Sequence, residues 1–210
     1  MKRLGIIGSG DLGQLIAYHA NIGGKYEVVA FFDDFKKKND MVSGIPVLGG
    51  TDDVLKAFTD GKIEELMIGI GYKHFEFRRK LFALFSAQIP MATVVHSSSY
   101  IDPSCKIGKG VFVLPGCVLD RNVELKDNVL LNTGCVISHD SVVSDHTFLS
   151  PGVNIAGFVK IGQCCNIGIN TTIIDNIEIA DNSQTGGGTV IIKNITEPGL
   201  YVGNPAKFIR

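Results

Sequence analysis

The chain has 210 residues, the length of one large domain or two small ones. Its 20 lysines and arginines nearly balance its 21 aspartates and glutamates, which leaves no basic excess to bind a nucleic-acid backbone. No apolar run approaches the roughly 20 residues that span a bilayer, and the N-terminus turns polar too soon for a signal peptide, so the sequence predicts a cytoplasmic protein with no membrane insertion.

The first 95 residues alternate predicted strands and helices. In chain order they are a strand over 3–8, a helix over 11–21, a strand over 27–32, a helix with Thr51 as its N-cap, a strand over 65–70, a helix over 73–87 and a strand over 91–95. Such alternation predicts a parallel sheet with helices on its faces. We therefore predict an α/β, Rossmann-like half domain over residues 1–95.

A glycine pattern joins the first strand to the first helix. Gly8, Gly10 and Gly13 form G-x-G-x-x-G, and Asp33 follows at the end of the second strand. Such glycines let the backbone approach a phosphate at a helix N-terminus, and the acidic residue can accept hydrogen bonds from a ribose or base. A dinucleotide fold needs two such halves, so a mononucleotide carrying a sugar fits better than NAD. The glycines can also serve only tight strand-to-helix packing.

The second half repeats with a period of six. An aliphatic residue recurs at Ile101, Ile107, Val113, Leu119, Leu125, Leu131, Ile137, Val143, Leu149, Ile155, Ile161, Ile167, Ile173 and Ile179. A stripe of small or β-branched residues follows four positions later and contains Cys105, Cys117, Cys135 and Cys165. The five cysteines are odd in number and lack C-x-x-C spacing, which indicates core packing rather than disulfides or zinc.

A period of six excludes an α-helix and fits a triangular prism of short strands, in which three hexads complete an 18-residue coil. The aliphatic residues should point into the prism. We predict a linker over 96–100, an all-β parallel β-helix over 101–195 and a C-terminal tail over 196–210.

The whole chain resembles the two-domain hexapeptide-repeat sugar acetyltransferases, the family of the bacillosamine-pathway UDP-4-amino-sugar N-acetyltransferase and the sialic acid O-acetyltransferase. The matching segments are 7–11, 32–36, 70–72, 132–134, 137–140 and 201–207. The resemblance implies a left-handed β-helix, acetyl-CoA as co-substrate, and a homotrimer with active sites between subunits, so that a monomer should be inactive. In bacillosamine-type relatives a histidine stands where this chain has Asp11, and a second histidine can stand where it has Phe148.

The resemblance also implies site residues. Those for the nucleotide sugar are Ser9, Gly10, Asp11, Asp33, Asp34, Lys36, Gly71 and Asn132. Those for acetyl-CoA, between two subunits, are Phe148, Gly157, Ile169, Gly187 and Lys207, with Lys193 near Lys207. A backbone N–H in the acetyl-CoA groove can stabilise the oxyanion of acetyl transfer, and the lysines can meet the phosphates of CoA or serve only as solvated surface charges.

His139 is the candidate general base and Asp140 the residue that orients its ring, because acyl transfer needs a proton acceptor and histidine is the commonest one. His139 comes two places after the inward Ile137, so it should point out of the prism. Among the other histidines, His146 is expected to face outward. None has metal-ligand spacing, which predicts no catalytic metal.

These features favour an acetyltransferase that moves acetyl from acetyl-CoA to the amino group of a nucleotide-linked 4-amino-deoxy sugar. Three alternatives remain open at this level. One is an O-acetyltransferase of a sugar or sialic acid, another is a non-catalytic nucleotide-sugar-binding or scaffold protein, and the third is an NAD-dependent oxidoreductase built on Gly8 to Gly13.

Overall fold

A computed structural model describes all 210 residues and divides them into two compact units, Met1–Val94 and Val95–Arg210. None of its helices has both the length and the apolar character needed to cross a membrane.

The first unit is a five-stranded sheet with helices. Its strands are β1 (Lys2–Ile7), β2 (Tyr26–Phe32), β3 (Met41–Val42), β4 (Ile45–Gly49) and β5 (Glu65–Ile68), and its helices are α1 (Asp11–Ile22), α2 (Val54–Thr59) and α3 (Phe75–Phe85), with 3-10 turns at Thr51–Asp53 and Tyr72–His74. The sheet order is β3-β4-β2-β1-β5. All neighbours are parallel except β3 and β4, so the predicted parallel sheet is confirmed. The carboxyl ends of β1, β2 and β5 consequently meet at one edge.

Three local predictions need correction. The hairpin of β3 and β4 was missed, because strands so short carry little periodic signal. Thr51 does not cap a helix: it lies in a 3-10 turn that Gly50 precedes, and Asp53 is the residue before α2. The N–H of Thr51 donates to Asp34. The predicted strand over 91–95 gives the α/β sheet only one isolated bridge, between Leu66 and Met91.

The second unit is a left-handed parallel β-helix with three faces, as predicted. The first face contains Tyr100–Ile101, Val118–Leu119, Val136–Ile137, Asn154–Ile155, Thr172–Ile173 and Val190–Ile191. The second contains Lys106–Ile107, Glu124–Leu125, Val142–Val143, Lys160–Ile161 and Glu178–Ile179. The third contains Val94–Val95, Phe112–Val113, Leu130–Leu131, Phe148–Leu149, Asn166–Ile167, Ser183–Thr185, Gly199–Val202 and Lys207–Phe208.

The period of six builds the core of this unit directly. The hexad residues from Val113 to Ile179 are at most 4% exposed and pack into one cluster, which Cys117, Cys135 and Cys165 also join. Partners in adjacent coils are 18 residues apart, as in the pairing of Leu119 with Ile137. Burial of aliphatic side chains, at about 25 cal/mol per Å² of apolar surface, is the main stabilising term for such a prism.

The prism turns sharply after each strand, and many of its turns contain a residue in the left-handed backbone region. Nine non-glycine residues do so with φ between 54° and 63°: Asn122, Asn128, Asp140, His146, Phe158, Cys164, Asn170, Asn176 and Asn182. Six of them are asparagine or aspartate, whose short polar side chains tolerate this conformation. The turns therefore form columns of stacked residues, one coil apart.

The C-terminal tail continues the third face. Gly199–Val202 pairs in parallel with Ser183–Thr185, and Lys207–Phe208 returns antiparallel to it.

Candidate active site

Each edge of the prism is a column of turn residues spaced by 18. We call the edge between the first and second faces corner I, and it contains His139–Asp140. Corner II, between the second and third faces, contains His146. Corner III, between the third and first faces, contains Thr133, Ile169 and Gly187.

His139 and Asp140 form a hydrogen-bonded pair at corner I. The two atoms Nδ1 of His139 and Oδ2 of Asp140 are 3.0 Å apart. An ionised carboxylate only accepts hydrogen bonds, so Nδ1 carries the proton and Nε2 of the neutral ring is left as an acceptor. The side chain of His139 is 40% exposed, which gives a substrate access to it.

Asp140 is held by a residue that the sequence interpretation missed. Asn122 donates from Nδ2 to Oδ1 of Asp140 at 2.9 Å, and Arg121 places Nη2 3.6 Å from Oδ2. The hydrogen bonds from Asn122 and then from His139 lower the pKa of Asp140. Both missed residues lie 18 positions before the pair, so the coil period predicts them as neighbours of the pair but does not predict the contacts that they make.

The ring of His139 is enclosed by the next coil of corner I. Gly157 lies beside the ring, and a β-carbon placed on Gly157 would be 2.7 Å from Cε1 of His139. Phe158 packs edge-on against the ring with centroids 5.1 Å apart. The structure therefore brings together His139, Asp140 and Gly157 and adds Phe158, which the sequence interpretation did not single out.

The remaining predicted residues of the second unit lie elsewhere in the chain. Ile169 and Gly187 stack at corner III, and Asn132 precedes that corner, where its Oδ1 accepts from the N–H of Thr133. Phe148 is 7% exposed in the third face, opposite corner I. Lys207 begins the last strand and lines a cavity of about 410 Å³ together with Lys193. One chain by itself does not join corners I and III.

His146 was expected to face outward, and this expectation is wrong. It is 8% exposed, and its Nδ1 lies 3.1 Å from Nδ2 of Asn128, one coil earlier on corner II.

A cavity of about 500 Å³ opens where β1, β2 and β5 end in the first unit. Five of the predicted nucleotide-sugar residues line it: Gly10, Asp11, Asp33, Asp34 and Gly71. They are joined by Phe35, Thr51, Tyr72, Lys73, His74 and Phe77. Lys36 is exposed and does not line it. Phe77, on α3, is 44% exposed in the cavity wall.

Ser9 is 2% exposed and does not line the cavity, because it is hydrogen-bonded to Asp33. Its N–H and its hydroxyl both donate to Oδ2 of Asp33, at 2.9 and 2.6 Å, and the N–H of Phe35 donates to Oδ1. Burial raises the pKa of Asp33, but the hydrogen bonds from Ser9 and Phe35 outweigh it, and the net shift is downward. Asp33 thus fixes the glycine turn at the mouth of the cavity.

The chain contains no cluster of three or more histidine, cysteine, aspartate or glutamate side chains with the geometry of a metal site. The arrangement at corner I instead consists of an oriented imidazole, its carboxylate partner and a glycine backbone beside them.

A hexapeptide-repeat prism with a histidine–carboxylate pair on one corner, joined to a Rossmann-like unit with a glycine-lined cavity, defines a two-domain acyltransferase. Residues 3–84 match the family model described as the PglD N-terminal domain. The resemblance of the whole chain to the two-domain hexapeptide-repeat sugar acetyltransferases is confirmed.

Solved structures match over the full length. The acetyltransferase domain of PglB from Neisseria gonorrhoeae FA1090 is 27% identical, with 100% of each chain covered and a TM-score of 0.90. Its complex with acetyl coenzyme A matches at 26% identity, 99% of each chain and a TM-score of 0.90. PerB from Caulobacter crescentus, in complex with CoA and GDP-perosamine, is 25% identical over 100% of this chain and 98% of its own, with a TM-score of 0.89.

Proposed function

We propose that this protein is an enzyme that transfers the acetyl group of acetyl-CoA to the amino group of a nucleotide-linked amino sugar. The observation that carries the proposal is the His139–Asp140 pair at corner I, with Nε2 left as an acceptor. The similar structures contain acetyl-CoA or CoA with GDP-perosamine, which supports both substrates.

The chemistry follows from the pair. The amino group of the sugar attacks the thioester carbonyl while Nε2 of His139 accepts its proton. Asp140 keeps the proton on Nδ1 and stabilises the imidazolium that forms. The tetrahedral oxyanion then collapses, the C–S bond breaks, and CoA leaves as the thiol with a proton returned from His139. We assign the N–H of Gly157, beside the ring, as the donor to the oxyanion.

The nucleotide sugar fits the cavity of the first unit. The glycine turn and the N-terminus of α1 offer backbone N–H groups to a diphosphate, and Lys73 adds a positive charge. Asp11, at the first position of α1, lines the same cavity, so we assign it to contact with the sugar. Aromatic residues such as Tyr72 and Phe35 offer surfaces for a base.

Acetyl-CoA fits along the prism. Lys193 lies on corner I three coils after His139, about 14 Å away at the usual strand spacing, and shares a cavity with Lys207. We place the phosphates of CoA at these lysines and the thioester at His139. The first face between them carries a groove of about 380 Å³ that is lined by Val136, Asn154 and Thr172.

We further propose that the protein is a homotrimer with active sites between subunits. Within one chain, His139 is on corner I whereas Ile169 and Gly187 are on corner III, so corner III of a second subunit is needed to complete the acetyl-CoA groove. Apolar residues are exposed where such packing would occur: Val136, Phe158 and Ile169 are 36%, 52% and 50% exposed. Sedimentation analysis should give three times the mass of one chain, and a monomer with transferase activity would contradict the proposal.

A thiol-release assay tests the activity. Acetyl-CoA is offered with UDP-, dTDP- and GDP-linked 4-amino sugars, to wild type and to His139→Ala. One amino sugar should release CoA rapidly, and the variant should lose about two orders of magnitude or more in kcat because it lacks the base.

The matched control is His96→Ala, which removes a half-buried histidine outside corner I and should retain activity. Release with a hydroxyl acceptor alone would favour O-acetyl transfer. Full activity in His139→Ala would remove that residue from the mechanism. If the protein does not bind acetyl-CoA and releases no CoA, only a nucleotide-sugar-binding or scaffold function remains.

A further inference from the structure

Asp140 has two carboxylate oxygens, and only one of them serves His139. Oδ2 accepts from Nδ1 of His139, whereas Oδ1 accepts from Nδ2 of Asn122 at 2.9 Å. A carboxylate bonded through one oxygen can rotate about its last torsion, which has a broad energy minimum. The second hydrogen bond, from a different coil, fixes that rotation.

Asn122 is itself held in place from the coil before it. Its φ of 60° is the left-handed conformation of this corner, and its N–H donates to Oγ of Ser104 at 2.8 Å. The hydroxyl of Ser104 in turn donates to Oδ1 of Asp102 at 2.6 Å. A continuous line of hydrogen bonds therefore runs along corner I from Asp102 to His139.

We propose that Asn122 is a positioning residue for acetyl transfer, which orients Asp140 so that His139 keeps its proton on Nδ1 and presents Nε2 to the acceptor. The inference rests on the proposed function for its catalytic consequence, but the orientation of the ring is a property of the protein alone. Because Asn122 donates without carrying charge, it fixes the carboxylate without neutralising it. Partners that orient metal-bound histidines change activity by roughly 10- to 100-fold when removed, and Asn122 holds the carboxylate partner of His139 in a similar way.

The charged groups around the pair are few. Arg121, on the same turn as Asn122, is 3.6 Å from Oδ2 of Asp140. Lys106 and Glu124 line a cavity of about 300 Å³ on the second face together with Asn122 and Asp140, and they pair with each other. From the following coil, Phe158 and Gly157 contribute no charge. A carboxylate introduced at position 122 would therefore act mainly on Asp140 and His139.

Two substitutions separate positioning from backbone support. Asn122→Gly removes the amide while tolerating the positive φ, and Asn122→Asp keeps the shape but cannot donate. Both should lower kcat about tenfold and leave KM for each substrate unchanged. In Asn122→Asp the added negative charge stabilises the imidazolium, so the acid limb of the kcat profile should move to higher pH. Asn182→Gly, with φ of 58° on corner II, is the matched control and should keep wild-type kcat.

NMR of the His139 ring provides a readout that does not depend on activity. In wild type the neutral ring should be the Nδ1–H tautomer. Asn122→Gly should populate the other tautomer, and Asn122→Asp should move the ring titration to higher pH. Unchanged tautomer and titration in both variants, or equal loss of kcat in Asn182→Gly, would overturn the inference. If wild type acetylates no amino sugar, the proposed function fails while the NMR comparison still decides the role of Asn122.

Discussion

Gly157 lies directly against the imidazole of His139, 18 residues further along corner I. A β-carbon at Gly157 would be 2.7 Å from Cε1 and 2.9 Å from Nε2, closer than side-chain atoms pack. The absence of a side chain at this position is therefore what leaves room for the ring.

Gly157→Ala should displace the ring of His139 and lower kcat by about tenfold or more, because a displacement near 1 Å at a catalytic group is costly. Binding of acetyl-CoA, measured by calorimetry, should change less than kcat. The control is the same substitution in a His139→Ala background, where it should cause little further loss. Additive losses would mean that Gly157 acts independently of His139.

Phe158 occupies a left-handed position with φ of 59°, whereas Asn122, Asp140 and Asn176 hold the same position in other coils of corner I. This conformation costs a bulky residue roughly 1 kcal/mol or more. Phe158→Asn should relieve that strain and lose the edge-on ring contact, which partly offsets the gain. Denaturant unfolding should show stability equal to wild type or up to about 1 kcal/mol higher, while kcat falls.

The reverse exchange, Asn176→Phe, should destabilise the prism without reaching His139. A Phe158→Asn variant that is less stable and fully active would contradict a catalytic-site role for the aromatic ring.

Asp33→Asn should weaken the binding of the nucleotide sugar in the cavity of the first unit. Oδ2 of Asp33 accepts two hydrogen bonds from Ser9 and Oδ1 accepts one from Phe35. An asparagine has one acceptor oxygen, so its amide nitrogen would face a donor. KM for the nucleotide sugar should rise about tenfold or more, with KM for acetyl-CoA unchanged. Asp60→Asn, at an exposed ion pair with Lys56, is the control. Equal changes in both KM values would indicate general loss of structure instead.

Glu124 should contribute to stability in a pH-dependent way. Lys106 and Lys126 lower its pKa to about 2. Because folding depresses this pKa, the contribution is complete above the ordinary value of 4.5 and is lost as pH falls toward 2. Glu124→Gln should therefore cost under about 1 kcal/mol at pH 7, as for surface pairs, and the cost should disappear as pH falls through 2.

Unfolding of wild type and Glu124→Gln in urea, at pH 7 and at low pH, measures this difference in stability. Urea is preferred to guanidinium chloride because it is uncharged and does not screen the ion pairs. The difference at pH 7 should shrink in 1 M salt. A cost that stays constant across pH would mean that Glu124 acts through packing rather than charge.

The prism could be predicted from the sequence because its order is periodic. Each hexad residue occupies the same environment as its neighbours in the repeat, so Ile137 or Leu149 is buried for a reason visible in spacing alone. The glycine turn of Gly8 to Gly13 could also be predicted, because the strand, turn and helix that define it are adjacent in the sequence. The candidate pair His139–Asp140 could also be predicted, because a histidine can serve as a general base and the segment resembles the catalytic coil of the family.

Other features depended on contacts that spacing does not reveal. The burial of His146 follows from its ring meeting Asn128, and Ser9 is withdrawn from the cavity because Asp33 accepts both of its hydrogen bonds. These outcomes depend on which side-chain torsions satisfy the most donors and acceptors.

The sequence by itself determined the two-part architecture, the inward faces of the prism and the candidate base, because hydrophobic periodicity and turn chemistry act over a few residues. The tertiary structure alone decided that Asn122 supports Asp140, that Gly157 and Phe158 enclose His139, and that corners I and III stay apart in one chain. The physical reason is that directional hydrogen bonds and close packing join residues that become neighbours only after the coils have stacked.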